Sequence, residues 1–358
     1  MTAQNPQEFI FFDDNFKLFN SMLRDIENAK RYIFLEMYKF PNDTIGERFR
    51  DALTRKAKEG VKVRLLLDSW ASTATLPFFT ELIKNHGEVR YFKKIKYSFD
   101  SFTKHHRRNH RKLLLIDDKI SYIGSANLTA YSLSWREGIL RINGDLTLIL
   151  KKTFYNSRRI FNKLIYNKKT HARTYTHGDY KIVCDVPSLK KQRIKKKFET
   201  LIKEAKKEIV IETPYFLPGF YLRKCLIDAS NRGVSVKIIT PLNSDVSVVD
   251  ILRSQYFGHF YKSNVKFLFY KPYNLHAKIM VIDNETFALG SANFDYRSFR
   301  YMHEIMLIGK NPQVIELLKN HIDKTIESCE PFNYEKWKNR PVFHKILERL
   351  LVPFRHLL

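Results

Sequence analysis

Apolar and polar positions along this chain fall into short blocks whose period keeps switching. "IENAKRYIFLEMY" reads as a helix end carrying Ala-Lys, followed by a strand that closes on Glu36. In "RFRDALTRKAKEGVKVRLLLD", helical apolar spacing runs to a C-capping Gly60 and gives way to a β-branched, apolar strand. The same order returns downstream. "IKEAKKEIVIETPY" closes a strand on Glu212, and "YLRKCLIDASNRGVSVKIITP" passes from helical spacing through Gly233 into a strand. Helix alternating with strand in both halves predicts an α/β lobe in each. The connection is expected near residues 168–195, which are basic and poor in large apolar side chains, giving lobes over residues 1–172 and 173–358.

The repeat is sharpest in "NHRKLLLIDDKISYIGSAN" and "LHAKIMVIDNETFALGSAN". In each, Lys stands two residues after His, four apolar residues lead to Asp, and Gly-Ser-Ala-Asn begins seven residues beyond that Asp. His110, Lys112, Asp117 and Asn127 thus match His276, Lys278, Asp283 and Asn293 at a constant offset of 166. If the stretch is a strand, His and Lys project from one face and the apolar run anchors it in the core. Asp117 and Asp283 have the opposite parity and begin a turn, so within the motif they read as scaffold. Gly124 and Gly290 are expected where backbones pass closely, and Ser125 and Ser291 beside them are expected to help bind phosphate.

Charge narrows the partners. The 358 residues carry 63 Lys and Arg against 37 Asp and Glu, a formal net charge of +26. That excess calls for an anionic partner: nucleic acid, an acidic lipid surface or a phosphorylated substrate. A hydrophobic fraction of 44% and an aromatic fraction of 14% exclude a disordered chain. Cys184, Cys225 and Cys329 are far apart and form neither a disulfide framework nor a zinc site. No stretch reaches the roughly 18–20 apolar residues of a membrane-spanning helix, and the first residues do not read as a signal peptide. A cytoplasmic protein, peripherally attached to the cell membrane, is expected.

Two complete His-Lys-Asn sets inside one repeat point to a single site shared by two pseudo-symmetric halves. Paired Lys and Asn side chains suit a tetrahedral oxyanion such as phosphate. One imidazole can attack phosphorus while the facing one protonates the leaving alkoxide. The phosphohistidine formed is then opened by water or by an alcohol. No cluster of carboxylates stands ready for magnesium, so neither metal nor other cofactor is expected. His105 and His106 read as part of a basic rim.

Both motifs match the signature of the phospholipase D superfamily, and the chain most resembles its bacterial cardiolipin synthases. The supporting stretches are "EMYKFPNDTIG", "RNHRKLLLID", "WREGILRINGD", "ETPYFLPG", "GSANFDYRSFRYMHE" and "WKNRP". The resemblance implies two phospholipase D-like lobes, each a mixed sheet flanked by helices, with the active site between them and no oligomer required. It implies that His110, Lys112 and Asn127 face His276, Lys278 and Asn293. It also implies that Glu137 and Glu304 orient the imidazoles, and that His110 is the nucleophile and His276 the acid. The activity implied is transfer between two phosphatidylglycerol molecules to give cardiolipin and glycerol. Phospholipid hydrolysis and a nuclease or other phosphodiesterase are the alternatives, nucleic acid being the less favoured substrate because nuclease relatives are often short single-motif chains.

The end of the chain, "FHKILERLLVPFRHLL", has its own period. Phe343, Ile346, Leu347, Leu350 and Leu351 fall on one helical stripe that Pro353 terminates. Such a stripe either packs on the second lobe or serves as an amphipathic foot at a membrane.

Overall fold

The computed structural model describes residues 7–92, 107–161, 172–272 and 274–356. His105 and His106, with most of the basic run before the first motif, lie outside the described residues.

The first seven-stranded sheet runs in the order Glu8–Asp14, Arg136–Asn143, Ile120–Gly124, Leu113–Ile116, Tyr32–Met37, Lys62–Asp68 and Glu88–Phe92. Its last three strands are parallel and its other pairings antiparallel. The second sheet repeats this order and these directions with Tyr180–Asp185, Met302–Gly309, Thr286–Gly290, Ile279–Ile282, Glu208–Glu212, Ser235–Pro241 and Lys266–Tyr270. Arg173–His177 and Cys329–Pro331 extend its edges. The stretch expected to connect the halves therefore holds structure: Arg173–His177 and Tyr180–Asp185 form a hairpin of the second sheet. Asp185 then accepts the N–H groups of Arg193 and Ile194, both at 2.9 Å, and so starts the helix Arg193–Glu204 that carries much of the basic run.

Local signals behave as their chemistry requires. Gly60 and Gly233 take φ of +84° and +89° just beyond the helices Thr44–Lys58 and Phe220–Asn231. The next N–H groups, of Val61 and Val234, reach back to the carbonyls of Lys56 and Ala229 at 3.0 and 3.1 Å, closing each helix. Each lobe has its own apolar core between sheet and outer helices. A third core lies between the sheets, where Leu113, Leu115 and Ile123 pack in one cluster with Ile279, Val281 and Phe287. Alternate residues of the motif strands thus face either their own lobe or the partner lobe. The shared core fixes the lobes against each other.

Asp117 and Asp283, read as scaffold, lie in the turns after those strands, at φ +54° and +55°. Their neighbours Asp118 and Asn284 are also at positive φ, in three-residue turns that join Ile116 to Ile120 and Ile282 to Thr286. The Asp117 carboxylate accepts N–H groups from Lys30, Arg31 and Tyr32 at 2.5, 2.7 and 2.8 Å. Asp283 does the same for Lys206, Lys207 and Glu208 at 2.8, 2.7 and 2.9 Å. Each motif Asp therefore pins the start of the antiparallel strand beside its own. Asp117→Ala or Asp283→Ala is expected to cost about 2–4 kcal/mol of stability, with Asn, which keeps one acceptor, costing less. Urea unfolding checks this; an unchanged midpoint with abolished turnover would place the aspartates in the chemistry instead.

Candidate functional site

The strands of the two motifs begin at Leu113 and Ile279, so each His-x-Lys stretch, expected inside the strand, lies just before it. There the chain crosses to the other lobe. The N–H of His110 donates to the carbonyl of His303 at 3.0 Å, and the N–H of His276 donates to that of Arg136 at 2.7 Å. Arg108–Asn109 pairs in parallel with Met302–His303, and Arg136 bridges to Leu275. Neighbouring groups hold this crossing. Asn109 gives its backbone N–H to Asp68 at 2.9 Å and its side-chain amide to the buried Glu36 at 3.0 Å. Arg111 spans the interface, donating to Ser157 and to the carbonyls of Glu304 and Asp185.

The side chains cross as the backbone does. His110 Nδ1 lies 3.0 and 3.2 Å from the carboxylate oxygens of Glu304, and His276 Nδ1 lies 2.9 Å from both oxygens of Glu137. Each imidazole is thus oriented by an acid from the opposite lobe. With Nδ1–H given to the carboxylate, Nε2 is left for substrate. Both glutamates are fully buried. Ser125 and Ser291, expected at the phosphate, are also fully buried and donate to these carboxylates instead: Ser125 to Glu137 at 2.5 Å and Ser291 to Glu304. Their oxygens accept the N–H groups of Gly138 and Ile305. Gly124 and Gly290 precede them because a Cβ there would stand 2.2 Å from the carbonyl oxygens of Gly138 and Ile305.

Both histidines, Asn127 and Asn293 line one cavity of about 190 Å³ between the lobes. Tyr38 meets His110 edge-on at 4.8 Å between ring centroids, and Trp135 lies 5.3 Å from His276. Lys112 and Lys278 are buried beneath, each donating to the carbonyl of its own motif His at 2.6 Å. An ammonium has three N–H groups, so further donors remain on each. Asn127 Oδ1 accepts the N–H of Lys39 at 3.3 Å, leaving its NH2 as the free end.

Arg297, absent from the sequence reading, also lines the cavity. Asp295 caps the helix Tyr296–Tyr301 by accepting the N–H of Ser298 at 2.7 Å. Ser298 Oγ in turn accepts the N–H of Asn293 at 3.1 Å, so one short turn aims both Asn293 and Arg297. Arg297 Nε and Asn293 Oδ1 are buried without a hydrogen-bond partner, a cost normally borne only where a ligand supplies the missing contact. The repeat offset puts Tyr131 at the matching place in the first lobe, so this cation breaks the pseudo-symmetry.

Electrostatics also distinguish the two histidines. Burial, with the charges of Lys112 and Lys278, drives His110 well below its ordinary value. Burial lowers His276 too, but Glu137 opposes it. Burial works to raise Glu137, yet His276, Lys278 and Ser125 hold it below the usual carboxylate value. Burial lifts Glu304 to about 8, so it supports a proton on its partner less than Glu137 does. Burial brings Lys278 down to about 8. Among the described residues no three His, Cys, Asp or Glu side chains converge as metal ligands.

The family described as "Cardiolipin synthase, PLD-like domain" matches residues 22–165 and 198–326, segments that carry both motifs. The chain belongs to the cardiolipin synthase family of phospholipase D-like proteins. A family member from Listeria welshimeri, named cardiolipin synthase, is 32% identical over 369 residues, covering 99% of this chain and 76% of its own. One from Clostridium perfringens, also named cardiolipin synthase, is 30% identical over 376 residues, covering 96% of this chain and 75% of its own. The fold, but not the sequence, is shared with a phosphatidylserine synthase from Haemophilus influenzae. It has a TM-score of 0.77 at 14% identity, covering all of this chain and 96% of that one. A polyphosphate kinase from Porphyromonas gingivalis aligns over 99% of this chain and 54% of its own, with a TM-score of 0.64 at 13% identity.

For this cardiolipin synthase family member, the crossed wiring predicts a spectroscopic signature. Glu304→Gln is expected to shift or remove the downfield Nδ1–H resonance of His110 while leaving that of His276, and Glu137→Gln is expected to do the reverse. Proton NMR with nitrogen-15-labelled histidine checks the pairing; each substitution perturbing the His of its own lobe would contradict it.

Proposed function

We propose that this chain joins two phosphatidylglycerol molecules into cardiolipin and glycerol through a phosphohistidine. The observation that carries the reading is the pair of carboxylate-oriented imidazoles from opposite lobes lining one cavity. His110, the more strongly neutral of the two, attacks phosphorus with Nε2. The bond from phosphorus to the glycerol oxygen breaks, and His276, supported by the ionised Glu137, gives that oxygen its proton. Free glycerol leaves and the phosphatidyl group stays on His110. A second phosphatidylglycerol then enters with its terminal hydroxyl toward His276, which takes the proton back as the oxygen displaces His110.

The phosphate charge is met by Lys112 and Lys278, with Asn127 and Asn293 as neutral donors and Arg297 as a further cation at the cavity wall. Asp117 and Asp283 act on the scaffold alone, and Ser125 and Ser291 act through the glutamates. Tyr38, Trp135, Val246, Val249 and Met302 supply apolar walls around the polar centre. Such walls suit the glycerol and acyl ends of a lipid and disfavour free water as acceptor. Together with the net charge, the cavity favours an anionic lipid at a membrane surface.

The test is to incubate the purified chain separately with phosphatidylglycerol, phosphatidylethanolamine and single-stranded DNA, and to identify products by mass spectrometry. Cardiolipin and glycerol in equal amounts are expected from phosphatidylglycerol alone. Phosphatidic acid as the main product would make the chain a hydrolase, and nucleotides would make it a nuclease. Arg297→Ala is expected to raise KM for phosphatidylglycerol by roughly tenfold or more, the loss of one charged hydrogen bond, and an unchanged KM would remove Arg297 from phosphate binding.

A further inference from the structure

The stripe predicted at the chain's end is split in the folded protein. Leu351 turns inward against a cluster of Leu217, Leu252 and Tyr296. Val342, Phe343, Ile346, Leu350 and Phe354 turn outward, each with more than half of its surface exposed. The helix Val342–Leu351 is nonetheless firmly seated. Its buried Glu348 takes a two-pronged contact from Arg340 at 2.8 and 2.7 Å, and Arg340 stacks on Trp337 at 4.2 Å. Trp337 donates to the carbonyl of Ser254 at 2.9 Å. The outward apolar face is therefore a presented surface on a docked helix.

Its position relates it to the site. The helix packs on Ser247–Lys262, and the turn that follows it packs on Tyr296–Tyr301. Those two helices supply Val249, Arg297 and Ser298 to the cavity wall. On the neighbouring flank, Phe220 and Tyr221 are exposed at the start of another helix, beside Arg223, whose guanidinium stacks on Tyr256 at 4.1 Å. Tyr256 packs on the same cluster as Leu351. Lys345, Arg349 and Arg355 belong to the same segment, Arg349 exposed and the other two half-buried. Among the described residues no helix is long and apolar enough to cross a membrane.

We propose that the outward face of Val342–Leu351, with Phe354, enters the headgroup region of an anionic bilayer and holds the cavity mouth against it. An apolar stripe with cations in the same segment suits lipid with negative headgroups, since the side chains enter the acyl boundary while the cations stay among the phosphates. This inference rests on the lipid substrate proposed above, because a lipid must reach the cavity without leaving the membrane for water.

The experiment compares the full chain with the Phe343→Asp, Ile346→Asp, Leu350→Asp triple variant. Co-sedimentation with vesicles of phosphatidylglycerol and phosphatidylcholine measures binding, and turnover on short-chain phosphatidylglycerol dissolved as monomers measures the site. Vesicle affinity is expected to fall on the order of a hundredfold, from the apolar burial lost, with short-chain turnover retained. Should the triple variant unfold, Leu350→Trp with brominated lipids gives a second readout, in which quenching beyond that of the native tryptophans is expected. Two results would overturn the inference: undiminished vesicle binding by a folded triple variant, or no added quenching from the Leu350→Trp variant in its vesicle-bound form. A change of oligomeric state with vesicle binding unchanged would overturn it too. Absence of short-chain turnover in the unmodified chain would instead count against the proposed function, because vesicle binding is read separately.

Discussion

Everything in the site depends on an exchange between the lobes: each histidine is oriented by a glutamate that belongs to the other half. The backbone makes the same exchange, His110 to His303 and His276 to Arg136, so ring and main chain are fixed by one interface. Neither lobe alone holds its imidazole in a defined tautomer. The core between the sheets, where Leu113 and Leu115 meet Ile279 and Val281, is therefore part of the catalytic apparatus in an energetic sense.

Much of this was legible because the chain writes its motif twice. A repeated His-x-Lys with a distant Asn can be read as one shared site, and the period of the flanking blocks gave the helices, strands and capping glycines. The turn position of Asp117 and Asp283 likewise suggests scaffold, and in the folded chain their carboxylates collect six N–H groups. The crossing was not legible. Which glutamate meets which histidine depends on how two sheets are stacked, and no local pattern encodes that. The partners of Ser125 and Ser291 were not legible for a related reason. A hydroxyl beside an asparagine looks like a phosphate donor until the buried carboxylate behind it is placed.

Arg297 was missed because attention to a repeat selects what the copies share. Its counterpart by the offset is Tyr131, and the difference is where the halves cease to be equivalent. A reaction with a leaving alcohol and an entering alcohol needs such inequivalence, because one imidazole must begin neutral while the other carries a proton. Burial and the nearby cations push His110 strongly toward the first state; burial lowers His276 as well, but there Glu137 opposes the shift. Pseudo-symmetry supplies the constellation; the proposed division of roles rests on the departures from it.

The central claim is that His110 carries the phosphatidyl group while His276 handles the proton. It is tested most directly with phosphatidyl-p-nitrophenol labelled at phosphorus, whose leaving group departs without an acid. In His276→Ala the first step should then proceed while the second, lacking its base, stalls. The account predicts one burst of nitrophenol per chain and acid-labile label on the peptide containing His110. Label on any other residue, or steady turnover without a burst and without label, would contradict it.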